Sequence, residues 1–123
     1  MDNKKILLAE DETHLRNTMS LRLRDAGYDV ITASNGRQAL DLANAEHPDL
    51  VIADYQMPEL SGVELCQRLG QSAATQNIPA IVLSQPGYTL GRSHQTIKKL
   101  LNKPLTPRHL LSAIHEVLDQ QAA

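Results

Sequence analysis

Three short apolar runs in this chain, and a fourth, mixed stretch at Lys99–Asn102, are each followed at once by a residue able to do chemistry. Glu10-Asp11 follows the first run, Asp54 a second, Ser84 a third, and Lys103-Pro104 the mixed stretch. Each has an ordinary explanation when taken singly. An Asp after a strand commonly caps a helix or turn, and an acidic pair favours the positive end of a following helix. A serine there is most often a loop hydroxyl and a lysine a solvated charge. Taken jointly they amount to three carboxylates, a hydroxyl and an amine. Clustered carboxylates repel one another and resist joint ionisation. A hard divalent cation relieves that repulsion, and Mg²⁺ (or Mn²⁺) suits oxygen ligands. The same cation would neutralise an incoming phosphoryl group, whose transfer needs mainly positioning and charge stabilisation. Lys103 would add a second positive charge, and Ser84 a hydrogen bond to a phosphoryl oxygen. A carboxylate can serve as the nucleophile, forming an aspartyl phosphate.

The apolar pattern says how these groups could meet. Ile6-Leu7-Leu8-Ala9, Leu50-Val51-Ile52-Ala53 and Ala80-Ile81-Val82-Leu83 are unbroken runs, as for strands buried on both faces. Tyr28 to Ala33 is rich in β-branched residues and reads as a second strand, and Lys99 to Asn102 as a fifth. Between them lie helical stripes. Leu15, Met19, Leu23 and Ala26 mark a helix over 14–26, with Thr13 as its N-cap and Gly27 at its end. Asn35-Gly36 signals a turn; Ala39, Leu42 and Ala43 mark a helix that stops before Pro48. Pro58 to Gly62 is a loop, Val63 to Leu69 a helix, and residues 107–119 a last helix striped by Leu110, Ile114, Val117 and Leu118. The segment from Gln85 to about Thr96 has weak periodicity and stays unassigned. Alternating strands and helices imply a parallel sheet covered on both faces. The expected fold is α/β, a flavodoxin-like doubly wound sheet of five strands in the order 2-1-3-4-5, with an atypical or shortened fourth helix. In such sheets, sites lie beyond the carboxyl ends of the strands, where all these groups fall.

Length and composition bound the rest. The 123 residues suit one domain, expected over 1–119 with a short tail at 120–123. Twelve basic against 14 acidic side chains leave no basic stripe for direct nucleic-acid binding. No apolar run is long enough to span a bilayer, and the N-terminus does not read as a signal peptide. A single cysteine, Cys66, fits a reducing compartment, so a cytoplasmic protein is expected. Cys66 reads as a buried small hydrophobe. The five histidines form no i, i+4 helical pair, which argues against zinc. No glycine-rich loop follows the first strand, which argues against a nucleotide site.

The stretches Ile6-Leu7-Leu8-Ala9-Glu10-Asp11-Glu12 and Asp54-Tyr55-Gln56-Met57-Pro58-Glu59-Leu60-Ser61-Gly62, then Ser84 and Lys103-Pro104, carry a family resemblance. Over essentially its whole length the chain resembles the response-regulator receiver (chemotaxis-receiver-like) domains of two-component systems. The resemblance implies roles. Asp54 looks like the phosphoacceptor. Asp11 looks like a direct metal ligand, Glu10 a ligand acting through metal-bound water, and the Gln56 backbone carbonyl a third protein ligand. Ser84 matches the switch hydroxyl and Lys103 the lysine that pairs with the phosphoryl group. The Lys103-Pro104 bond is often cis in this family. The implied donor is a phosphohistidine on a histidine kinase or histidine phosphotransfer protein. Such a domain is not an enzyme in the usual sense; it has only Mg²⁺-dependent autophosphorylation and autodephosphorylation. Homodimerisation through the last strand and its flanking helices is common among relatives.

Three features depart from the family pattern. Leu100 stands where a Tyr or Phe usually precedes the lysine, and lacks the large amphipathic ring. Gln85 follows the switch hydroxyl where a small residue is usual. The distance from Ser84 to Lys103 is shorter than is common. These changes fall on the side that usually signals, so normal Asp54 phosphorylation with unusual signal transmission is expected. Tyr88 is a candidate substitute aromatic. Two other functions compete. A pseudo-receiver would use the fold as an interaction module with little phosphorylation-dependent switching; the altered 85–100 segment favours it and the intact acidic cluster opposes it. A Mg²⁺-dependent phosphatase would want a second acid two residues after the nucleophile, where this chain has Gln56. The sequence leaves the kinase, the stimulus and the output target unidentified.

Overall fold

The computed structural model describes residues 3–84, 96–102 and 106–122. Five parallel strands form the centre: β1 (Lys5–Ala9), β2 (Asp29–Ala33), β3 (Leu50–Asp54), β4 (Ala80–Ser84) and β5 (Ile97–Asn102). They lie in the order β2-β1-β3-β4-β5, the flavodoxin-like order the sequence predicts. The helices among the described residues are α1 (Thr13–Asp25), α2 (Gly36–Glu46), α3 (Gly62–Gly70) and α4 (Pro107–Ala122).

The period-2 alternation of the strands sorts two cores. Leu7, Ala9, Val51, Ala53, Ala80 and Val82 face Ala39 and Ala43 of α2 and Leu65, Cys66 and Leu69 of α3. Ile6, Leu8, Leu50, Ile52, Ile81 and Leu83 face Leu23 of α1 and Leu110, Ile114 and Val117 of α4. Every residue of β3 and β4 is buried, which is why those runs read as continuous rather than alternating. Burying one such leucine or isoleucine contributes about 1.5–3 kcal/mol.

Several boundaries differ from the sequence expectation. Glu12, not Thr13, caps α1: its carboxylate accepts from the amides of His14 and Leu15, and Thr13 is the first helical residue. The carboxylate reaches over the first turn as a hydroxyl would, and its charge suits the positive helix end. Asn35 is more than a turn signal, because its side chain accepts from the Gln38 amide and caps α2. Ser61 and Glu64 form a capping box that starts α3. Strand β5 begins two residues earlier than expected, at Ile97 opposite Ala80, and its register then shifts so that Lys99 lies opposite Ile81. Helix α4 runs to Ala122, past the expected end at 119. The expected change in the fourth helix of the family falls on residues 85–95, outside the described residues.

Candidate functional site

Strand register brings the chemical groups to one sheet edge. Ala9 pairs with Ala53 across β1 and β3, so the residues that follow them, Glu10 and Asp54, are lateral neighbours. Asp54 in turn pairs with Leu83, the residue before Ser84, and Ser84 pairs with Asn102 at the end of β5. Carboxylate oxygens of Glu10, Asp11 and Asp54 all lie within 4.8 Å of one another. Glu10 and Asp54 are buried, 2% and 8% exposed, and Asp11 is exposed at the rim. Ser84 is buried at 1% exposure. The expectation that distant acids converge is therefore met for Glu10, Asp11 and Asp54. Lys103 and Pro104, with Gln85 and Tyr88, lie outside the described residues.

The loops that present these acids are held by backbone bonds. The Glu10 amide extends the β1–β2 ladder to the Ala33 carbonyl at 3.0 Å. The Glu10 carboxylate accepts from the Glu12 amide at 3.0 Å. Beyond Asp54, the Tyr55 amide donates to Leu83 at 2.7 Å and the Tyr55 carbonyl accepts from Gly62 at 2.9 Å. The Gly36 amide donates to Pro58 at 3.3 Å. A Cβ on Gly36 would meet the Leu60 carbonyl oxygen at 2.1 Å, so the N-terminus of α2 is seated directly on the β3–α3 loop. Glu59 completes that loop with a left-handed backbone, φ 73°. Exposed Gln56 lies on the same loop. With Asp11, Met57 and Glu64 it lines an open cavity beside the acidic cluster. That cavity is the approach to the rim of the site; Asp54 lies deeper, at the strand end.

The donor set fits a hard cation. Three carboxylates in mutual reach, two of them buried, supply negative oxygen ligands of the kind Mg²⁺ takes, with room at the exposed Asp11 side for retained waters. The chain's one cysteine, Cys66, is buried in the α2–α3 core, and burial pushes its thiol up to about 12.

Leu100 is half-buried on β5 opposite Val82 and packs on the same core as Leu65 and Leu69. It fills apolar space rather than presenting a polar edge. Lys99 pairs with Glu116 of α4 at 2.6 Å. Sequence reasoning passed over Arg16. Its guanidinium Nη1 donates to the Glu10 carbonyl at 2.9 Å. The available signal was a basic residue one turn into the helix after an acidic strand end. It also passed over the close approaches of Gly36 and Gly62, whose signal was only a glycine at each helix start.

Comparison with known proteins agrees with this fold. The family model described as "Response regulator receiver domain" matches residues 6–115. The "Probable transcriptional regulator ycf27" of Porphyridium aerugineum is 35% identical over 118 residues, covering 96% of this chain and 49% of that protein. The alkaline phosphatase synthesis transcriptional regulatory protein PhoP of Bacillus subtilis is 34% identical over 124 residues, covering 94% of this chain and 49% of its own. The chain thus spans about half the length of these relatives. Among solved structures, the chemotaxis response regulator CheY4 of Vibrio cholerae superposes with a TM-score of 0.86 at 28% identity, covering 94% of this chain and 99% of that one.

Proposed function

Because this chain belongs to the response-regulator receiver family of two-component systems, we propose that it accepts a phosphoryl group on Asp54 and uses the modified state to signal. The observation that carries this reading is the meeting of Glu10, Asp11 and Asp54 within 4.8 Å at one strand edge. Glu10 and Asp11, with Asp54 and the Gln56 carbonyl, would hold Mg²⁺. The bound ion would supply positive charge beside the transferring phosphoryl group. The chain's own part is geometric. The buried end of β3 fixes Asp54, and the β3–α3 loop, clamped between Gly36 and Gly62, fixes the backbone beside it.

The donor in this reading is a phosphohistidine of a histidine kinase or phosphotransfer protein. An Asp54 carboxylate oxygen attacks phosphorus. The phosphorus–nitrogen bond breaks as the new phosphorus–oxygen bond forms, and the released imidazole takes up a proton. Ser84, buried one strand over, and Lys103 are assigned to the phosphoryl oxygens. Receiver domains are signalling modules rather than classical enzymes, and slow self-dephosphorylation would reset the state. Full-length relatives are transcriptional regulators, so an output through a further domain or a separate protein is part of the proposal.

Half-buried Leu100 favours an altered relay beyond Ser84, because an aliphatic side chain there has no hydroxyl edge to exchange between core and solvent. A pseudo-receiver is the extreme form of that altered relay. The deciding experiment is intact mass after incubation with Mg²⁺ and a small phosphodonor. A phosphoryl adduct on the wild type that vanishes in Asp54→Asn is expected. No adduct on the wild type, with folding intact, would leave only the pseudo-receiver. Repeated turnover of a phosphoester would instead mean a phosphatase.

A further inference from the structure

The corner between β1 and α1 carries two of the three clustered acids, yet Asp11 is exposed and lies beyond the end of the ladder. Three like charges within 4.8 Å push one another apart. An unrestrained corner would relieve the repulsion by swinging Asp11 toward solvent. The Glu10 amide is held by the Ala33 carbonyl, and a further restraint comes from α1. The Arg16 amide donates to the Glu12 carbonyl at 2.9 Å, which places Arg16 one turn into the helix. Its long side chain runs back toward the helix N-terminus, as helical side chains do. The guanidinium then meets the Glu10 carbonyl at 2.9 Å and, more weakly, the Asp11 carbonyl at 3.5 Å. Both contacts come from one guanidinium nitrogen, Nη1, held in a planar, delocalised group; a lysine ammonium, on its more flexible stem, would hold the same carbonyls less firmly. Arg16 is aimed at the backbone of the acidic pair, and among the described residues it makes no ion pair with a carboxylate.

We propose that Arg16 is a positioning residue for the cation: it tethers the Glu10 and Asp11 backbone so that both carboxylates already converge on Asp54 before an ion arrives. This rests on the receiver reading of the acidic cluster. Two effects of the guanidinium oppose each other. As a tether it removes freedom that binding would otherwise have to remove, which tightens cation affinity. As a positive charge near the site it repels a cation. The tether wins because the guanidinium is hydrogen-bonded to the corner itself, whereas its charge faces solvent screening on a half-buried side chain.

The test is Mg²⁺ titration by calorimetry on the full chain, without phosphodonor, for wild type, Arg16→Met and Arg16→Lys, alongside denaturant stability in EDTA. Arg16→Met keeps the apolar stem and removes the donors. It is expected to weaken Mg²⁺ binding about tenfold, the scale of losing one charge-assisted hydrogen bond. Arg16→Lys keeps a charged donor on a more flexible stem, retains part of the tether, and is expected to fall between. Unchanged Mg²⁺ affinity in both variants, whatever happens to their stability in EDTA, would make Arg16 merely structural and overturn the inference. Tighter binding in Arg16→Met would mean that repulsion dominates, and would overturn it too. A wild type that binds no Mg²⁺ would instead bring down the receiver reading and this inference with it.

Discussion

Gly62 rests on the carbonyl of Asp54: a Cβ at position 62 would meet that oxygen at 2.4 Å and its carbon at 3.0 Å. Helix α3 thus begins in contact with the end of the strand that carries the central carboxylate. Any side chain at 62 must push the Asp54 peptide away, and with it the carboxylate. Gly62→Ala should therefore lose about 1–3 kcal/mol, the usual range for overpacking. It should also slow Asp54 phosphorylation. Gly27→Ala is the control, because its φ of +100° strains an alanine while nothing lies within 4 Å. It should lose about 1 kcal/mol from backbone strain and leave phosphorylation as it was. Denaturant melts and phosphorylation time courses on both variants check this, and equal phosphorylation in both would separate Gly62 from the site.

The acidic cluster should strain the metal-free fold. Removing one charge, as in Asp54→Asn, is expected to raise stability in EDTA by about 1 kcal/mol. Mg²⁺ should raise the melting temperature of the wild type by mass action and raise that of Asp54→Asn much less. Thermal melts with EDTA and with rising Mg²⁺ are the measurement. A wild type as stable in EDTA as Asp54→Asn would mean that the three carboxylates do not repel.

Cys66 is buried on the core-facing side of α3, and burial pushes its thiol from 9.0 up to about 12. The folded protein therefore holds its proton where the unfolded chain has lost it. The resulting stability is fully present below about pH 9 and declines as pH rises toward 12, by about 1.4 kcal/mol per pH unit. Cys66→Ala should flatten that decline, seen as the difference between the two proteins' stability curves across this window. A thiol reagent should label native Cys66 no faster than the protein opens. Rapid labelling at neutral pH would contradict the burial.

Much of this was legible in the sequence because the informative signals were local. The runs Leu50–Ala53 and Ala80–Leu83 could be read as doubly buried strands, and a chemical residue at each strand end needed only the parallel fold to be gathered. The Asp54–Gly62 run gave the family resemblance. What was not legible depended on side-chain reach or on close approach in three dimensions. Glu12 took the cap from Thr13 because its longer side chain could fold back over the first turn. Arg16 drew no attention in the sequence, and its use is visible only once the strand–helix corner is built. Gly36 read as half of a turn dipeptide, yet its missing side chain makes room for the Leu60 carbonyl from a loop more than twenty residues away.

The most direct test of the account is where a divalent ion goes. Crystals soaked in Mn²⁺, which replaces Mg²⁺ at oxygen sites and scatters anomalously, would locate it. The account predicts one strong anomalous peak within bonding distance of the Asp11 and Asp54 carboxylates and the Gln56 carbonyl, with Glu10 reached directly or through water. A peak elsewhere on the chain, or an acidic cluster left without manganese at saturating concentration, would contradict it.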